Sequence, residues 1–146
     1  MKSVLKMALL ALLVVSCNHK VEPADVANLN GYWEIEKVDL PEGDDKNFKI
    51  NESYDFFAIK NNEGIRKKVM PQLDGTFIVN DTYEEVRVRF ENDKAYLDYS
   101  TDFAKWSEEL ITLTDEELVV KNEEKKEYHY KRTGPINLTG NGEKIK

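Results

Sequence analysis

Between residues 29 and 132, short runs of β-branched and aromatic residues alternate with turn-forming clusters every eight to twelve residues. Within the runs, apolar and polar positions tend to alternate. This period of two, with such short spacing, predicts antiparallel strands of a sandwich or barrel. Nine strands are expected, at 31–40, 54–60, 65–72, 76–80, 83–91, 94–100, 105–114, 117–122 and 126–132, and no long helix. Asp74-Gly75 reads as a two-residue hairpin turn. The flanks lack the pattern. Residues 18–28 are polar, contain Pro23 and read as a tether; residues 133–146 hold three glycines and a proline and read as a loose tail.

Two hairpins can be resolved to single pairs. A two-residue loop at Asn92-Asp93 sets Glu91 opposite Lys94, Phe90 opposite Ala95, Arg89 opposite Tyr96, Val88 opposite Leu97 and Arg87 opposite Asp98. Apolar pairs then alternate with polar ones, and cross-strand pairs of this kind fix register. Val86, Val88, Phe90 and Leu97 are expected inside; Arg87, Arg89 and Asp98 outside. For the last hairpin, a two-residue loop at Glu123-Glu124 would oppose Lys121 to Lys126 and Val120 to Glu127. A three-residue loop, Glu123-Glu124-Lys125, instead pairs Lys121 with Glu127, Val120 with Tyr128 and Leu118 with Tyr130. The second register is preferred. It points Arg132 inward with Tyr128 and Tyr130, where an arginine needs a partner or a stacking surface.

The first seventeen residues follow another pattern. Lys2 and Lys6 precede nine apolar residues, 7–15, then Ser16 and Cys17, the only cysteine. Nine residues at a rise of ~1.5 Å fall far short of the ~30 Å hydrocarbon core, so a secretory signal is expected, not a membrane-spanning helix. An ordinary cleaved signal would leave Cys17 as an odd free thiol. Val14-Val15-Ser16-Cys17 instead resembles the lipobox of bacterial lipoproteins. That resemblance implies cleavage before Cys17, lipid on its thiol, and anchorage in the cell envelope. With Asn18 after the cysteine, the outer membrane of a Gram-negative bacterium is expected, the leaflet being open. The expected organisation is a signal peptide at 1–16, a lipidated tether at 17–28, a β domain at 29–132 and a tail at 133–146.

Composition narrows the partners. The chain carries 21 Lys and Arg against 28 Asp and Glu; losing Lys2 and Lys6 moves the net charge from −7 to −9. Such a domain repels phosphate backbones, which argues against nucleic acid. A single cysteine excludes an internal disulfide, so one core must stabilise one domain, expected as a monomer.

Catalytic chemistry is sparse, and no enzymatic role, cofactor or metal is expected. The two histidines are His19, in the tether, and His129, set opposite Val119 on the face away from Tyr128 and Tyr130. Acidic pairs fall mainly in turns, and no two inward acids are singled out as a glycosidase would need. Arg66-Lys67-Lys68 stands out in an acidic chain, either as a charged edge strand or as a patch for an acidic partner. Phe56, Phe77, Phe90, Tyr99, Tyr128 and Tyr130 either line a ligand cavity or fill the core.

Gly31-Tyr32-Trp33 opens the first strand, and Arg132 closes the last. With residues 29–35, 111–120 and 128–132, these positions resemble the lipocalin-like small lipoproteins of Gram-negative bacteria. The resemblance implies an all-β, antiparallel, meandering barrel of about eight or nine strands. It further implies that Gly31, Trp33 and Arg132 form the barrel floor, Trp33 closing it and Arg132 packing across. The expected role is binding of a small apolar or amphipathic ligand. The alternative is a filled barrel that docks another envelope protein.

Overall fold

Left-handed Asn61, Asn62, Asn92 and Asp93 (φ 52°, 63°, 51° and 64°) make two tight turns whose twist matches that of the strands they join. From such hairpins the chain builds a meander. The computed structural model describes residues 20–136. A 3-10 helix, Pro23–Leu29, precedes β1 (Gly31–Asp39), β2 (Lys46–Asn47), β3 (Tyr54–Lys60), β4 (Glu63–Pro71) and β5 (Phe77–Val79). Then follow β6 (Glu84–Glu91), β7 (Lys94–Ser100), β8 (Lys105–Leu113), β9 (Glu117–Lys121) and β10 (Glu127–Thr133). The order β1-β3-β4-β6-β7-β8-β9-β10 closes through antiparallel pairing of β10 with β1. The result is an eight-stranded barrel with β2 and β5 as additions on β1 and β4.

Both hairpin registers take the pairings set by charge and alternation. β6 and β7 join Glu91 to Lys94, Val88 to Leu97 and Arg87 to Asp98. β9 and β10 join Lys121 to Glu127 and Leu118 to Tyr130. Asp74-Gly75 differs from expectation. Gln72 N donates to Thr76 O and Gly75 N to Gln72 O, so Leu73-Asp74-Gly75 is a three-residue loop with Gly75 left-handed at φ 85°. The third residue absorbs the left-handed step that closes this loop type. Lys125 does the same in the 123–125 loop, at φ 62°.

Residues 20–30 are not a free tether. Val21, Val26 and Leu29 are buried in the same core as Trp33, Val88, Leu97, Leu110 and Leu118. Once inside the barrel fold, this apolar triad outweighs the polar composition around it. Residues 137–146, most of the expected tail, and Cys17 and His19 lie outside the described residues.

Because the strands alternate in direction, the loops segregate to two ends. The 3-10 helix, the 61–62 and 92–93 turns and the 114–116 turn share one end, the floor. Loops 40–53, 72–83, 101–104 and 122–126 share the other, the mouth. Bulges in β1 between Ile35 and Lys37 and in β8 between Leu110 and Thr112 shift the alternation. The shift in β8 lets Leu110 and Leu113 both reach the core.

Candidate functional site: a closed floor beneath a charged lumen

The floor is built on Trp33, fully buried. Its indole Nε1 donates to Leu29 O at 2.8 Å, tying β1 to the end of the 3-10 helix. Arg132, opposite Trp33 on β10, lays its guanidinium carbon 3.9 Å from the indole ring centre. Its Nε donates to Asp115 O at 2.9 Å, Nη1 to Asn30 O at 2.5 Å and Nη2 to Asn28 O. Every one of these acceptors is a backbone carbonyl, so the cation joins helix, β1 and the β8–β9 turn through dipoles. Burial pulls the Arg132 pKa below its ordinary value. Gly31, at φ 111°, allows this approach: a Cβ there would lie 3.0 Å from Arg132 Nη1.

Above the floor the interior becomes charged. β3 turns Asp55, Phe57 and Ile59 inward, leaving the Asp55 side chain 3% exposed. β4 turns Arg66 inward opposite Phe57 and sets Lys68 opposite Asp55. Glu84 lies in phase with Val86 on β6, and Glu108 with Leu110 on β8. Arg66 Nε donates to Glu84 at 3.1 Å, its guanidinium stacks 4.2 Å from the Tyr99 ring centre, and Nη1 reaches within 4.0 Å of Glu108 Oε2. The side chain therefore reaches from β4 past β6 and β7 towards β8. Lys68, at the mouth, lies 2.7 Å from Asp55 Oδ1 but donates its hydrogen bond to Oδ2 at 2.8 Å, so Oδ1 is neutralised without being hydrogen-bonded. Trp106 stacks on Tyr99 at 5.1 Å.

Burial opposes the Arg66 charge, but Tyr99, Asp55 and Glu84 outweigh it and hold the guanidinium above its ordinary pKa. Burial pushes the Glu108 carboxyl up, offset only in part by Arg66 and by a hydrogen bond from Tyr99. Burial also raises Tyr99 and, with Asp55 nearby, Tyr130. Arg66 is thus a committed cation, and of its two glutamates Glu108 stands further from it.

The residues singled out in the sequence divide between the two faces. Tyr99 is buried inside, with Phe90, Tyr128 and Tyr130 packed against the core. Phe56 and Phe77 are not lumen residues. They sit on the outer face against Tyr32, at 4.8 and 4.5 Å, because Phe57 and Ile59 take the inward phase of β3. Nor do Arg66, Lys67 and Lys68 form one patch or lie on an edge. β4 pairs with β3, β5 and β6, and the alternation sends Arg66 inward and Lys67 outward over Tyr83. His129 lies opposite Val119 with Nε2 3.0 Å from Asp39, near Glu127. Lys37 and Lys121 already pair those two carboxylates, at 2.9 and 2.7 Å. A groove of about 1010 Å³ lies largely among outward residues of β6, β7 and β8, including Arg87, Asp98 and Lys105.

Sequence reasoning missed Asp55, Glu84 and Glu108. Glu84 was within its reach, being in phase with Val86 and Val88, the inward residues of the 92–93 hairpin.

A model of the lipocalin-like domain matches residues 29–120. The chain belongs to this lipocalin-like family. No curated protein matches it. Two solved structures are similar at 9% identity: a lipocalin-like protein from Bacteroides uniformis (73% of this chain, 99% of that one, TM-score 0.46) and an uncharacterized protein from Bacteroides eggerthii (72% and 99%, 0.47). The lipocalin-like assignment rests on the family model and on the closed eight-stranded barrel.

Two outcomes test this geometry. Arg132→Met should cost about 2–3 kcal/mol in urea unfolding, through lost charge-assisted hydrogen bonds to carbonyls, and Arg132→Lys should not restore it because an ammonium cannot span three acceptors around a ring. For Glu108 the folded state holds its proton more tightly than the unfolded state, so this group's contribution to wild-type stability falls as pH rises above the ordinary 4.5. Glu108→Gln removes that dependence. Its stability relative to wild type should therefore be greater at about pH 7 than at about pH 4, whereas an equal difference at both would contradict the assignment.

Proposed function

We propose that this protein is a lipid-anchored envelope protein that binds a small amphipathic ligand through the mouth of its barrel. One observation carries the reading: the interior above the floor holds Asp55, Arg66, Glu84 and Glu108 where a filled core would hold hydrocarbon. Burying charges costs several kcal/mol per ion before pairing, and replacing such groups with packed apolar residues is often neutral or stabilising. Charges kept at that cost, beside aromatic walls and groups with displaced protonation, support the reading of a binding site. The apolar residues below them suit a ligand's hydrocarbon part. The described histidine, His129, lies opposite Val119 beside Asp39, away from the charged cluster.

The anchor fits this orientation. Lys20 pairs with Asp93 at 2.6 Å, at the floor end. Cys17 is three residues earlier, a reach of at most about 10 Å, so an anchored barrel would present its mouth away from the lipid. The second reading, docking of another envelope protein, draws support from the mouth rim, where Ile50, Leu73 and Phe103 are 90%, 73% and 97% exposed.

Native mass spectrometry of protein purified from its own host tests the choice. A retained small molecule is expected; bare protein together with a co-purifying envelope protein would favour docking. Alongside it, Cys17→Ser should leave the membrane fraction or accumulate unprocessed. Normal processing and wild-type fractionation would sink the anchor.

A further inference from the structure

We infer that the ligand carries a positively charged amine and that Glu108 is the residue that receives it. The inference rests on the reading of the lumen as a binding site and specifies its chemistry. Three carboxylates, Asp55, Glu84 and Glu108, share the upper lumen with two cations, Arg66 and Lys68. Their pairing is already allocated. Lys68 serves Asp55 at 2.7–2.8 Å, and Arg66 serves Glu84 at 3.1 Å. Glu108 has a hydrogen bond from Tyr99 but no close cation. Its side chain is 12% exposed, its nearest cation stands 4.0 Å from Oε2, and Oε2 accepts no hydrogen bond. A buried carboxylate in this state gains most from a donor that brings its own charge.

The walls favour the same class. Tyr99 and Trp106 stack face to face beside Glu108, and Tyr130 lies close enough to feel its charge. Aromatic faces attract an ammonium through their quadrupoles, as the placing of Arg66 over Tyr99 illustrates. An ammonium would complete the charge balance of the lumen. An anionic head group would have to draw Arg66 from Glu84, adding a fourth negative charge to a cluster with two cations. Uncharged heads would leave Glu108 as it is.

Three eight-carbon probes that differ only in head group decide the matter: octylamine, octanol and octanoate, each titrated calorimetrically into the chain from Cys17 onward. Octylamine should bind about tenfold or more tightly than octanoate. Glu108→Gln should abolish that preference. Glu109→Gln, one residue along and facing outward towards Lys94, should leave the preference intact. The wild-type ranking needs no variant, so a misfolded Glu108→Gln would not spare the inference. Octanoate equal to or tighter than octylamine overturns it, as does a preference that survives Glu108→Gln. If the probes bind equally well, the lumen remains a binding site and the amine assignment falls; if none binds, both fall.

Discussion

Arg132 laid across Trp33 is the contact on which the rest of the barrel depends. A closed sheet has no edges, but its ends remain open, and an apolar interior with an open end would be wetted. The indole plugs one end. The guanidinium seals the plug by stacking on it and by satisfying carbonyls of Asn28, Asn30 and Asp115, which come from segments far apart in sequence. Backbone oxygens as acceptors let the cation bind without importing a counter-charge into the floor. The 3-10 helix follows from this contact, because its last carbonyls are held by Arg132 and Trp33 while Val26 and Leu29 pack beneath.

With one end closed, the barrel can change character along its axis. The floor half is lined by apolar side chains such as Leu29, Trp33, Val88 and Leu118. The mouth half can then hold groups that weaken a core: three acids, an arginine reaching across the lumen, and a lysine at the rim. Arg66 organises them but cannot satisfy them all. It sits on Tyr99 and bonds Glu84, and geometry leaves Glu108 at 4.0 Å. That shortfall, rather than the presence of charge as such, is what the inferred preference for an amine rests on.

Much of this was legible in the chain and some was not, for identifiable reasons. Registers of the 92–93 and 123–125 hairpins were legible because opposite charges and apolar pairs both fail if either strand slips by one residue. The inward turn of Arg132 followed from the second register. The phase of β3 was hidden by its own composition: Tyr54 and Phe56 on one face compete with Phe57 and Ile59 on the other, and the inward face also contains Asp55. The same ambiguity in β4 made Arg66 and Lys68 look like surface charge, since Ile65 and Val69 suggest the opposite phase. Glu108 depended on the β7–β8 register, which pairs it with Leu97 and is set by the irregular 101–104 turn, where the Thr101 hydroxyl accepts from Phe103 and Ala104. Val21, Val26 and Leu29 were too few to show a period, and only the finished barrel gives them something to cover.

The most direct test of the account is where a ligand lands. The outer groove beside Arg87 and Lys105 is larger than many binding sites, and the mouth rim is apolar, so both compete with the lumen as places for an amphipathic molecule. Titration of the isotope-labelled protein with octylamine, followed by two-dimensional NMR, separates them. The account predicts that the amides of Asp55, Arg66 and Glu108 shift together with one saturation curve, while Trp33 and Arg87 stay in place. Shifts confined to Arg87, Lys105 and their outer neighbours, or to Ile50, Leu73 and Phe103 at the rim, would contradict it.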